Sequence, residues 1–274
     1  MDEHVDDNRD GHRGDGWDVR EAGPADAPHR VMMLPGGMCS AVWYEDVMAE
    51  PALASSGVGL TAVTQPGFGG TTPPEDLTMD NYARLIAGFA AERGCDVLVG
   101  HSLGANVVLE TAAAGLFSGP LVLLSPTFSR RDEAKFLTVM DHLGQVPGLG
   151  ALAWAGMMKS MPTAMKHSLP PARAEALSAD VGTTDPAFAR HVVRRYYEYL
   201  DRYGSLVDRL CATGLPTWVV RGDHDEIGLQ PAEREALEAC PQVTMVTVPD
   251  AGHLVLVEQP AAVAEVILSA VASL

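Results

Sequence analysis

The sequence predicts an α/β protein with a mostly parallel central sheet, helices on both faces and an inserted helical cap. Three observations carry this reading. Strand and helix signals alternate from His29 to Leu124 and resume from Pro216 onward; an apolar run at Val97 delivers a Gly-x-Ser-x-Gly pentapeptide that opens directly into a helix-forming stretch; and 128–210 holds helical segments but no convincing strand. At 274 residues the chain suffices for one large domain, and no Pro/Ser/Gly linker divides it. The expected organisation is an acidic flexible tail at 1–16, an α/β core at 17–127 and 211–274, and a cap at 128–210.

Each element has its local reason. Trp17–Arg20 is a first strand, and His29–Leu34 a stronger one that ends at the Pro35-Gly36-Gly37 turn. Val42–Glu50 is expected as a helix, Leu60–Thr64 as a strand, and Met79–Arg93 as a helix capped by Thr78. Cys95–Val99 has the apolar, β-branched character of a buried parallel strand; behind it Ala105, Val108, Leu109, Ala112 and Leu116 recur at helical spacing. Leu121–Leu124 is another strand. In the cap, Asp185 before Pro186 marks a helix start, and Phe188, Val192, Tyr196, Leu200 and Tyr203 line one face until Gly204 ends it. Pro216–Val220 returns to the sheet, a helix follows Pro231, Thr244–Val248 is the last strand, and Ala261–Val271 is a final helix opened by Pro260.

Composition removes several classes of function. Thirty-six Asp and Glu against 19 Lys and Arg leave a net charge of −17, which repels phosphate backbones and anionic membranes, so nucleic acid is not expected as a partner. No run of about 18 apolar residues suggests a membrane span. The first sixteen residues lack the basic start and apolar stretch of a secretion signal, which makes the cytoplasm the expected location. Cys39, Cys95, Cys211 and Cys240 are scattered without Cys-x-x-Cys spacing; they read as reduced thiols, with Cys95 and Cys211 as core fillers. His4 and His12 fall in the tail and need no role. Monomer and homodimer both remain open.

The chemistry centres on Ser102. A serine at the tip of a sharp strand-to-helix turn holds strained backbone angles, and Gly100 and Gly104 supply small neighbours on both sides. Its hydroxyl needs a base, and the base a group to orient it. His253, in Asp-Ala-Gly-His just after the last strand, and Asp225, in Gly-Asp-His-Asp just after the strand before, meet those needs. Loops at the carboxyl ends of parallel strands gather on one edge, so the three can converge. Asp223 is the alternative acid; the Gly-x-x-Asp spacing favours Asp225. Leu121–Pro126 offers no carboxylate and Asp132 lies too far into the cap, while His101 reads as structural because its side chain points away from Ser102.

Gly-His-Ser102-Leu-Gly, then Gly222-x-x-Asp225, then Gly252-His253 followed by Glu258-Gln-Pro260, resembles the α/β-hydrolase superfamily from about Trp17 to the end of the chain. The order Ser, Asp, His matches that family, and 128–210 sits where it places its lid. The oxyanion of acyl transfer needs backbone N–H donors. The Leu103 amide, at the start of the elbow helix, is one; the second is expected from Gly37, with Met38 as runner-up. Two departures bear on loop support: Pro35 stands where relatives usually show the His of His-Gly-x, and Gln65 where many begin their loop with Asp.

The Leu149–Met165 stretch is rich in Leu149, Leu152, Trp154, Met157, Met158, Met161 and Met165, which read mostly as cap core and in part as a flexible apolar pocket. The resulting expectation is a serine hydrolase, independent of cofactor or metal, acting on a small to medium apolar carboxylic ester, lactone or thioester. The alternatives are carbon–carbon bond hydrolysis, acyl transfer or lyase chemistry on the same residues, or a ligand receptor on this scaffold.

Overall fold

The computed structural model describes residues 13–14 and 17–274. The strands are β1 (Arg13–Gly14), β2 (Trp17–Ala22), β3 (Arg30–Leu34), β4 (Gly59–Val63), β5 (Val97–His101), β6 (Leu121–Leu124), β7 (Thr217–Gly222) and β8 (Val243–Val248). They form one sheet in the order β1-β2-β4-β3-β5-β6-β7-β8. β1 and β2 run antiparallel to their neighbours and all later pairs are parallel. The expected acidic tail thus falls mostly outside the described residues, while Arg13–Gly14, counted with it, pairs with β2.

The helices α1 (Glu45–Met48), α2 (Pro51–Ala54), α3 (Met79–Arg93) and α4 (Leu103–Ala113) precede β6. Five more, α5 (Lys135–Gly144), α6 (Leu149–Lys166), α7 (Ala174–Val181), α8 (Pro186–Tyr203) and α9 (Val207–Thr213), fill the β6–β7 connection without a strand. α10 (Pro231–Glu238), α11 (Val255–Glu258) and α12 (Pro260–Val271) complete the chain. Thr78 caps α3 by accepting the Asn81 N–H, and Asp185 caps α8 by accepting that of Phe188. The helix expected over Val42–Glu50 is instead a 3-10 turn at Ala41–Tyr44 followed by α1, and Pro51 opens α2 as a separate turn.

Alternation along the strands builds two apolar layers. Met32, Leu34, Leu98, Leu121 and Leu123 face α3, α4 and α8 on one side; Val31, Met33, Val97, Val99, Val122 and Leu124 face α1, α11 and α12 on the other. Both faces being covered explains why the central strands read as continuous apolar runs.

The reduced-thiol expectation is corrected at two positions: Cys211 and Cys240 form a disulfide, with a Cα–Cα distance of 5.8 Å. Cys211 lies near the end of α9, which leads into β7, and Cys240 in the turn leading into β8. Because β7 and β8 pair in parallel, with Thr217 opposite Val243, those two lead-ins start side by side. Cys39 and Cys95 are free.

Candidate active site

β3 pairs with β4 on one side and β5 on the other, so the winding reverses between β3 and β5, the place where open α/β sheets leave a crevice at their carboxyl edge. Ser102 caps α4 immediately after β5 with φ 50° and ψ −120°, a conformation costing a non-glycine residue about 1–3 kcal/mol. The strain is held in place by the Ser102 N–H donating to Leu124 O at 2.9 Å and the Ser102 carbonyl accepting from Asn106 N at 3.2 Å. Both flanking glycines are sterically required. A Cβ on Gly100 would lie 2.4 Å from the Gly104 carbonyl oxygen, and one on Gly104 would lie 2.4 Å from that of Pro35.

His253 and Asp225 come together: His253 Nδ1 lies 3.0 Å from Asp225 Oδ1, which also accepts the Ile227 N–H at 3.0 Å. Asp223, the alternative, is turned away and accepts the Ala251 N–H at 3.2 Å. The Asp225 side chain is 1% exposed, against 22% for His253, so the carboxylate is shut in while the imidazole edge stays accessible. Burial pushes the Asp225 carboxyl up; the His253 hydrogen bond and charge, the Arg221 guanidinium and the Ser125 hydroxyl outweigh it and hold the group below its ordinary value. With Nδ1 engaged, Nε2 is the ring nitrogen left for a serine proton. No hydrogen bond joins Ser102 to His253 among the described residues, and their loops are tied instead through His101, whose Nε2 lies 2.9 Å from the His253 carbonyl.

The loop after β3 borders the elbow. A methyl group on Gly36 would fall 3.3 Å from Ser102 Cβ, and one on Gly37 would touch the Leu103 side chain at 3.4 Å. Neither the Gly37 nor the Leu103 N–H donates a hydrogen bond among the described residues, and Met38 holds a strained φ of 66°. The two departures from the family pattern meet each other here, as Gln65 Nε2 donates to Pro35 O at 2.8 Å.

Sequence reasoning missed most of the supporting contacts. His101 is structural as expected, but what it supports is the His253 loop. Glu258 accepts the Gly252 N–H in the same loop, and Ser125, with φ 49°, sits buried beside Asp225. Arg221 Nη2 stands 3.5 Å from Asp225 Oδ2, and its Nη1 donates to Pro126 O at 3.1 Å. Asp132 binds the Phe128 and Ser129 N–H groups and does not reach the imidazole. In the β6–β7 helices Trp154, Met157 and Met158 are buried as expected of core, while Leu149 and Leu152 are exposed and do not belong to it. Among the described residues, no three His, Cys, Asp or Glu side chains gather as metal ligands, and no helix is long and apolar enough to cross a membrane.

A strained serine at an elbow, an Asp-bound imidazole and free amides at a sheet crevice are the arrangement of a hydrolase scaffold. The chain belongs to the alpha/beta hydrolase family, whose model matches residues 31–266. Among solved structures it is similar to a thermophilic esterase from Thermogutta terrifontis, at 20% identity and a TM-score of 0.73, covering 94% of this chain and 93% of that one. MenH from S. aureus shares 18% identity with a TM-score of 0.73, covering 95% and 99%. An E-2-(acetamidomethylene)succinate hydrolase shares 20% with a TM-score of 0.71, covering 93% and 94%. No curated protein matches the chain by sequence.

Proposed function

We propose that the protein is a serine hydrolase that cleaves a carboxylic ester, lactone or thioester of small to medium size and apolar character. Ser102 attacks the carbonyl carbon as His253 Nε2 takes its proton. Asp225 keeps the imidazole in the tautomer with Nδ1–H and stabilises the imidazolium, and the Leu103 and Gly37 N–H groups receive the oxyanion. The imidazolium then protonates the leaving group. Water, activated by the same base, releases the acid from the acyl-enzyme. The observation that carries this reading is the Asp225–His253 hydrogen bond beside a serine held at positive φ.

The β6–β7 helices serve as the cap over this edge. Met38 and Met161 are partly buried and pack against both apolar clusters, which supports an adaptable apolar acyl site. The neighbours include a thioesterase domain as well as esterases, so thioesters belong in the substrate panel.

A panel of p-nitrophenyl esters, lactones and acyl thioesters of graded chain length tests the reading. Wild-type enzyme is expected to turn over at least one class and to be labelled at Ser102 by a fluorophosphonate. Ser102→Ala is expected to lose at least about 10⁴-fold in kcat and all labelling. Retained turnover in that variant, or an unlabelled wild-type serine, defeats the assignment; acyl transfer to an added alcohol would mark the transferase alternative.

A further inference from the structure

The loop carrying the Gly37 amide is tethered by the cap. Within the loop there is little to fix it: a tight turn with Cys39 N donating to Gly36 O at 3.2 Å, and Cys39 Sγ 3.5 Å from Gly37 O. Its far end is held by a side chain 140 residues away, as Asp180 Oδ2 on α7 accepts the Ser40 N–H at 2.9 Å and the Trp43 indole N–H at 2.8 Å. The next amide, Ala41 N, is taken by Thr64 Oγ1 at 2.8 Å. At the other end of α7, Arg173 donates to Val42 O and to Glu45, both at 3.0 Å. One cap helix therefore grips the segment 40–45 at both its ends.

Among the described residues Asp180 forms no salt bridge, although it is partly buried. Its carboxyl is pushed up, chiefly by that burial and also by Asp18, while hydrogen bonding from Ser40 and the Trp43 indole opposes the shift. Partly burying a carboxylate with neutral partners carries a desolvation cost, and the two hydrogen bonds it accepts fix a backbone amide three residues from Gly37. We propose that Asp180 is a positioning residue for the oxyanion loop, so that the cap is part of the transition-state site and displacement of α7 slackens the Gly37 donor. The proposal rests on the hydrolase reading above. Oxyanion donors act only when held where the developing charge appears, and misplacing one by about 1 Å costs roughly 10²-fold.

The test uses the full-length enzyme and a substrate that the wild type hydrolyses and Ser102→Ala does not, so a failed hydrolase reading is seen in those two proteins before any Asp180 variant is made. Asp180→Ala is expected to lower kcat roughly 10- to 100-fold with KM changed less than about 3-fold, and to raise the Ki of a boronic acid that mimics the tetrahedral intermediate in proportion to the kcat loss. Asp180→Asn keeps an acceptor oxygen of the same shape and is expected to recover kcat to within about 5-fold. Asp180→Glu keeps the charge but shifts the acceptor by a methylene, and is expected to resemble Asp180→Ala; it decides the matter if Asp180→Ala does not fold. Wild-type kcat and boronate Ki in Asp180→Ala or Asp180→Glu overturn the proposal. So does full activity in Asp180→Glu alongside an inactive Asp180→Asn, which would make charge rather than placement the requirement.

Discussion

His101, beside the proposed nucleophile Ser102, supports the candidate site through the His253 loop. Its ring centroid lies 5.0 Å from that of His253 and its Nε2 meets the His253 carbonyl, so the neutral tautomer with Nε2–H suits this contact and leaves Nδ1 buried without a partner. Burial, with a smaller push from His253, drops its pKa from 6.5 to about 3. The consequence for stability has a definite sign. At pH above 6.5 the ring is neutral in both folded and unfolded chains and contributes no pH dependence. As pH falls from 6.5 toward 3, only the unfolded chain takes the proton, so stability is lost by up to about 1.4 kcal/mol per pH unit. Asp225, whose carboxyl is held low, keeps its contribution until the pH falls through the carboxylate range. Urea unfolding between about pH 6 and 4.5 is therefore expected to show a shallower pH slope in His101→Gln than in the wild type. Equal slopes would mean that this ring is protonated in the folded protein.

Among the elements, α4 carries the proposed nucleophile at its start and a buried charge further along. Glu110, 3% exposed at its side chain, receives Arg209 Nη2 of α9 on both oxygens, at 2.7 and 2.6 Å, and Arg209 also stacks over Tyr203 with its Cζ 4.0 Å from the ring centroid. Arg209→Ala strands the carboxylate in the core and is expected to cost about 3–5 kcal/mol in chemical denaturation, whereas the double change Glu110→Leu with Arg209→Leu is expected to regain most of that loss. Additive losses in the double variant would refute the account. Such a pair also marks the boundary of what sequence reading reaches. α3, α8 and β6 were legible because their signals are local: the Thr78 and Asp185 caps, the Gly204 stop, a bounded apolar run. The segment after Ser40 was misread as one helix because Trp43 is buried and bound to Asp180, a contact 137 residues distant. Ser102, Asp225 and His253 stand in glycine-marked turns after strands, so each offers itself as a candidate one by one. The residues that support them, His101 and Ser125 among them, act through partners brought near only by sheet order, and nothing local distinguishes them.

At the scale of the molecule, the proposed active centre and the covalent staple occupy opposite edges of the same sheet. Ser102, Asp225 and His253 follow the carboxyl ends of β5, β7 and β8, while the Cys211–Cys240 bridge joins the lead-ins at the amino ends of β7 and β8. The bridge closes a loop with a sequence separation of 29 that contains β7 and α10, and by the chain-entropy relation it contributes about 3–4 kcal/mol through the unfolded state. Reduction is accordingly expected to lower the melting temperature by roughly 5–7 °C. It should leave kcat below the melt unchanged, because the tether that places His253 runs through His101, Glu258 and Asp225 rather than through either cysteine. Thiol titration of the protein unfolded without reductant decides the first point: two reactive thiols, Cys39 and Cys95, are expected, and four would show an open pair. Paired melting curves and initial rates with and without a phosphine reductant decide the rest. A fall in kcat at unchanged fold would mean that the two edges are coupled through β7 and β8.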